Sequence, residues 1–98
     1  MVVRFRDDKL DQRETDASYN AGFSQAVVTA FRKRMQQIRA ATDIRDLYAN
    51  KGMHFEKLAG ARSHQHSIRL NNQFRLILEL EEDKAGKVAV IVAIEDYH

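Results

Sequence analysis

The sequence predicts an α+β fold in which N-terminal helices pack on a small antiparallel β-sheet. Three observations predict it. Apolar residues recur at steps of three and four between Phe23 and Ala41, the spacing of one helix face. After Gly52 the apolar period changes to two, as it does in half-buried strands. Helical segments come first and strands follow consecutively, which is the order of α+β folds and not of alternating α/β folds. At 98 residues, 44% apolar and 31% charged, the chain is expected to form one domain over residues 1–98 around a single core.

Each element has a local reason. "VVRF" (2–5) is a short strand candidate, "DDKLDQRE" a weak first helix with Asp7 as its cap, and "TDASYNAG" a loop. Phe23, Val27, Phe31, Met35 and Ile38 form one stripe of the main helix, with Arg32, Lys33, Arg34 and Arg39 around the rest of it. "TDIRDLY" reads as a short second helix capped by Thr42 or Asp43, with Asp46 in its first turn, and "NKG" breaks the chain at Gly52. "HFEKLAG" alternates loosely. In "HSIRLNNQFRLILELEE" the residues Ile68, Leu70, Phe74, Leu76, Leu78 and Leu80 face one side, and Arg69, Arg75, Glu79 and Glu81 the other. "NNQ" (71–73) is a hairpin turn, in which asparagine tolerates left-handed backbone. "EDKAGK" is the next turn, and "VAVIVAI" (88–94) the last strand of the meander.

Composition excludes several classes of function. The absence of cysteine rules out disulfides, thiolate zinc sites and cysteine nucleophiles. The longest apolar run, Val88 to Ile94, is far shorter than the about 20 residues a bilayer-spanning helix needs. Charges at Arg4, Arg6, Asp7 and Asp8 break any signal-peptide core, so no membrane association and a cytoplasmic location are expected. The net charge of +2 is unevenly spread: ten Lys/Arg against three acids over residues 32–75, and six acids against two lysines from Glu79 onward. A basic middle suits a polyanion partner.

Strand parity sends Arg69 and Arg75 away from the core face. The bland account of Arg75 is a cross-strand pair with Glu79 or Glu95; the functional one is a guanidinium fork held on a rigid sheet to face a phosphate. Beyond the last strand stand Asp96, Tyr97 and His98. The Asp96 carboxylate favours the imidazolium form of His98, which suits it to proton transfer near neutral pH. Cleavage of RNA by its own 2′-hydroxyl needs a proton removed, a proton delivered and cations around the phosphorane. Histidine, arginine and lysine on one sheet face would supply these with no metal and no cofactor. His64 and His66, two apart, would share a strand face, but no acidic partner sits at metal-ligand spacing.

The stretch "LAGARSHQHSIRLNNQFRLILEL" with the terminal "IEDYH" resembles the HigB-like toxins of bacterial toxin–antitoxin modules, within the RelE superfamily. Leu58, Gly60 and Arg62 match one family element; Ser67, Ile68, Arg69, Leu70 and Asn71 match a second. Gln73, Phe74 and Arg75 match a third, and Asp96, Tyr97 and His98 the last. The resemblance implies a ribosome-dependent mRNA endonuclease (an mRNA interferase). It also implies a cognate HigA-like antitoxin with a helix-turn-helix domain, in a heterodimer or heterotetramer. By family role, His98 transfers protons with Asp96 and Tyr97 in support, Arg75 stabilises phosphate charge, and Arg62, Arg69 and His54 serve RNA. The run Arg32, Lys33 and Arg34 is either a phosphate contact for ribosomal RNA or a plain solvated face. Ala59 stands where the family commonly has lysine, Ala61 where it has an acid, and Glu56 where some members have histidine. His54 and Lys57 keep the spacing of that histidine–lysine pair, displaced by two residues, a shift of about 6.6 Å along one strand face. Lys57 is therefore the expected substitute for the missing lysine. The alternative is a catalytically weak or inactive relative that binds antitoxin or ribosome without cleavage.

Overall fold

The computed structural model describes residues 1–6, 11, 22–84 and 86–96. The weak first helix expected over residues 7–14 and the loop expected over 15–22 lie outside the described residues, apart from Asp11 and Gly22, as do Tyr97 and His98.

Strand β1 (Val2–Phe5) is followed by helix α1 (Gln25–Ala40) and helix α2 (Ile44–Ala49). Ser24 caps α1, its hydroxyl accepting from the Val27 N–H at 3.3 Å. The stripe Val27, Phe31, Met35 and Ile38 is buried along its length. The helix ends at Ala41, whose N–H returns to the Gln37 and Ile38 carbonyls. Asp43 and Asp46 form a capping box at α2: Asp43 accepts from the Arg45 N–H at 2.6 Å, and Asp46 from the Asp43 N–H at 3.3 Å. A 3-10 turn at Lys51–Met53, the two-residue strand β2 (Glu56–Lys57) and a second 3-10 turn at Gly60–Arg62 lead to β3 (Gln65–Arg69), β4 (Phe74–Asp83) and β5 (Gly86–Asp96).

The sheet order is β1-β5-β4-β3-β2. β2 through β5 pair antiparallel, as the meander requires, and β1 adds to β5 in parallel, so the sheet is mixed. The helices between β1 and the meander account for the parallel return, since parallel strands need a crossover. The β3–β4 turn closes differently from the left-handed turn expected. Asn71 Oδ1 accepts from the Gln73 and Phe74 N–H groups at 2.8 and 2.7 Å, and His54 is the one non-glycine with positive φ (45°) among the described residues.

Register fixes the two faces. Ile68 opposes Leu76, and Leu76 opposes Ile94; with Leu78, Ala89 and Ile91 they meet the α1 stripe in one core. Arg69 opposes Arg75, and Arg75 opposes Glu95, on the face turned away from α1. One extra residue on β5, Val92, sits between Ile91, which pairs with Leu78, and Ala93, which pairs with Ile77. Without this bulge, a one-residue slip would send the apolar residues of one half of β5 to the wrong face.

Candidate functional site: an arginine row on the sheet face opposite the helices

Antiparallel pairing puts the guanidinium stems of Arg69 and Arg75 directly across from each other, and like charges so placed repel. The structure ties each to oxygen: Arg69 Nη2 donates to Asn72 Oδ1, and Arg75 Nη1 donates to the His54 carbonyl at 3.3 Å. The left-handed backbone of His54 (φ 45°, ψ 50°) presents that carbonyl from the end of the 3-10 turn. His54 therefore reaches the site through its main chain.

The two acids expected to neutralise Arg75 each hold another arginine in a two-point grip. Arg6 donates to Glu79 at 3.1 and 2.8 Å. Arg62 donates to Glu95 at 3.0 and 2.8 Å. Gln65 links the pairs, accepting from Arg62 Nε at 2.9 Å and donating to Glu79 at 3.0 Å. The hydrogen bonds from Arg6 and Gln65 pull the Glu79 carboxyl pKa down to about 2. No sequence signal singles out Gln65; only its place between the two ion pairs does so.

Arg34 is taken from the expected RNA cluster by the fold. Its Nε donates to the Arg69 carbonyl at 3.0 Å, Nη1 to Gln37 Oε1 at 2.9 Å and Nη2 to the Gly52 carbonyl at 2.7 Å. Burial, and then the nearby Arg69 charge, lower its pKa from the ordinary arginine value. Arg32 and Lys33 sit on α1, which packs against the other face of the sheet, so they are not brought to the arginine row.

Lys57 is also separated from it. Lys57 opposes His66 and Glu56 opposes Ser67, so Lys57 shares the face of His66 and Ile68, while Arg69 and Arg75 belong to the other. The period-two argument carried Lys57 to the side chosen for Ala59, but β2 ends at Lys57 and the chain turns into a 3-10 segment at Gly60. His66 stacks on Phe55 at 4.8 Å and 7°; burial, then Lys57, lowers its pKa and favours the neutral imidazole. His64 instead lies 3.8 Å from Glu79, so the two histidines expected to share a strand face diverge. No cluster of three or more His, Cys, Asp or Glu suited to a metal occurs among the described residues.

Asp96 closes β5 opposite Phe74, and Gln73 Nε2 donates to its Oδ2 at 3.1 Å. With Glu95 held by Arg62, the end of β5 is fastened at two successive residues. The next residues in sequence are Tyr97 and His98.

Helices on one face of a five-stranded mixed sheet, with arginines on the other, define a RelE-like toxin fold. The chain is similar to a solved YoeB/ParE toxin from Agrobacterium tumefaciens, with a TM-score of 0.57 and 13% identity over 100% of both chains. A sequence profile described as "RelE-like toxin of type II toxin-antitoxin system HigB" matches residues 3–98, and the chain belongs to this HigB-like toxin family. Membership makes it a type II toxin with an antitoxin as partner. No curated protein sequence matches the chain. Among the described residues, no helix is long and apolar enough to cross a membrane.

Proposed function

We propose that the chain is a ribosome-dependent mRNA endonuclease, restrained by a HigA-like antitoxin. The observation that carries this is the Arg69–Arg75 pair on the sheet face opposite the helices, one strand from the end of β5. Two guanidinium groups facing each other on rigid strands present several N–H donors to one anion, and a phosphodiester is an anion they can grip. The 2′-hydroxyl loses its proton as its oxygen attacks phosphorus, the bond from phosphorus to the 5′-oxygen breaks, and that oxygen takes a proton, leaving a 2′,3′-cyclic phosphate and a 5′-hydroxyl. His98 is the proton-transfer group, Tyr97 supports it, and Asp96 clamps the strand that leads to them through Gln73. Arg75 and Arg69 offset charge on the phosphorane. Lys33 and Arg32, on the far side of the sheet, serve ribosomal RNA phosphates instead. The domain spans residues 1–98 and acts in the cytoplasm.

Induced expression with and without the antitoxin, with mapping of mRNA 5′ ends, tests the proposal. Arg75→Ala should slow cleavage about 100- to 1000-fold, the scale of losing one transition-state donor. His98→Ala should slow it about 100- to 10,000-fold. Both should still bind antitoxin, and growth arrest that survives either change removes that residue's role. Ala59, exposed before the second 3-10 turn, favours a second reading: a family member that occludes the ribosome without cutting. Translation arrest in vitro with full-length mRNA would select it.

A further inference from the structure

A continuous chain of side-chain bonds crosses the arginine face: Arg6 to Glu79, Glu79 to Gln65, Gln65 to Arg62 and Arg62 to Glu95. Its last link is unusual in reach. Arg62 precedes β3 and Glu95 lies on β5, with β4 between them in the sheet. The Arg62 side chain therefore lies across β4. Glu95 is directly opposite Arg75, so its carboxylate is held in line with Arg69 and Arg75, gripped by a third guanidinium.

A guanidinium fork binds two oxygens of a carboxylate or of a phosphate with the same geometry. The pair is accessible, with side-chain exposures of 46% for Arg62 and 39% for Glu95, and exposed ion pairs are weak enough to exchange. Taking the RNA-cleaving function proposed above as the starting point, we propose that Glu95 is an internal stand-in for a backbone phosphate. An RNA phosphate entering the row displaces the Glu95 carboxylate from Arg62 and completes a three-arginine anion site. Glu95 then limits RNA affinity, because every binding event must first break its grip on Arg62. The fork keeps Arg62 stretched over β4 in the geometry that the phosphate inherits.

The test is a double-mutant cycle read by fluorescence anisotropy of a short 2′-O-methyl oligoribonucleotide, which has no 2′-hydroxyl to attack with. Wild type, Glu95→Gln, Arg62→Gln and the double variant are titrated at several salt concentrations. Glu95→Gln should tighten binding about two- to fivefold, the scale of one exposed ion pair. In the Arg62→Gln background the gain should fall to less than half of that, since only through-space repulsion remains. Glu95→Asp keeps the charge on a shorter arm and should fall between wild type and Glu95→Gln, which supplies a second arm if the glutamine variant folds poorly. Wild-type binding with no gain from Glu95→Gln, or equal gains in both backgrounds, overturns the exchange alone. Failure of both wild type and Glu95→Gln to bind RNA at low salt also overturns the exchange, whereas the ribosome-dependent cleavage is decided separately by the mapping of mRNA 5′ ends.

Discussion

Glu79 shows how a single side chain on the arginine face sets a pH response. Its carboxyl pKa falls from 4.5 to about 2, chiefly through its hydrogen bonds from Arg6 and then Gln65, with burial opposing. A depressed native pKa means the stabilisation is complete above the unfolded value and is lost as pH falls from 4.5 toward 2. Chemical denaturation of Glu79→Gln and wild type across that range should therefore give curves that converge in acid, and parallel curves would deny Glu79 this role. The residue types of the site were legible in the sequence, but their partners were not. Arg75 faces away from the core as period two requires, yet Glu79 and Glu95 answer Arg6 and Arg62, because those contacts depend on how three strands and a loop align. Lys57 fails for the same reason: local period cannot see that β2 stops at Lys57. Lys57→Ala should preserve the growth arrest that Arg75→Ala abolishes, and an equal effect of the two would return Lys57 to the catalytic group.

At the scale of elements, helix α1 does more than cover the sheet. Arg34 reaches from it to the Arg69 carbonyl on β3 and the Gly52 carbonyl in the 3-10 turn, and that turn delivers the His54 carbonyl to Arg75. One helix residue thus ties both segments that frame Arg75. Arg34→Met keeps the apolar stem and removes three donated bonds. It should cost about 1–3 kcal/mol, the penalty for stranding partly buried acceptors, and lower Tm by several degrees. An unchanged Tm would show that water replaces these bonds without loss. The elements themselves were the most legible part of the chain. The stripe from Val27 to Ile38 and the Asp43 cap with Asp46 in the first turn are local signals that the structure keeps, whereas Phe23, expected as the first residue of the stripe, lies before the Ser24 cap and outside the helix. "VVRF" was also recognisable as a strand; its parallel place beside β5 was not. That place depends on a partner near the other end of the chain and on a crossover in between.

Across the whole molecule, the uneven charge of the sequence becomes a directional field. The acids that end β4 are met by cations around them: Arg4 holds Asp83 at 3.0 Å, Arg6 holds Glu79, and Lys87 holds Glu82 at 2.6 Å. The hairpin and β1 thereby neutralise each other at one end of the sheet. The surplus of residues 32–75, ten cations against three acids, lies toward β3, β2 and the helices. An approaching polyanion is steered toward that end, and the steering weakens with salt because phosphate contacts release counterions. Two charge reversals of equal size separate position from net charge. Arg69→Glu and Lys87→Glu each change the total by two units, but only Arg69 stands in the arginine row. Arg69→Glu should weaken binding of a short oligoribonucleotide and flatten the log Kd against log salt slope by about 0.7, the share of the one phosphate it no longer neutralises. Lys87→Glu should leave the slope unchanged and shift affinity only slightly, since its nearest acid, Glu82, is on the hairpin and outside the row. If both reversals flatten the slope equally, the protein presents RNA with a diffuse positive charge, and the arginine row has no special part in binding.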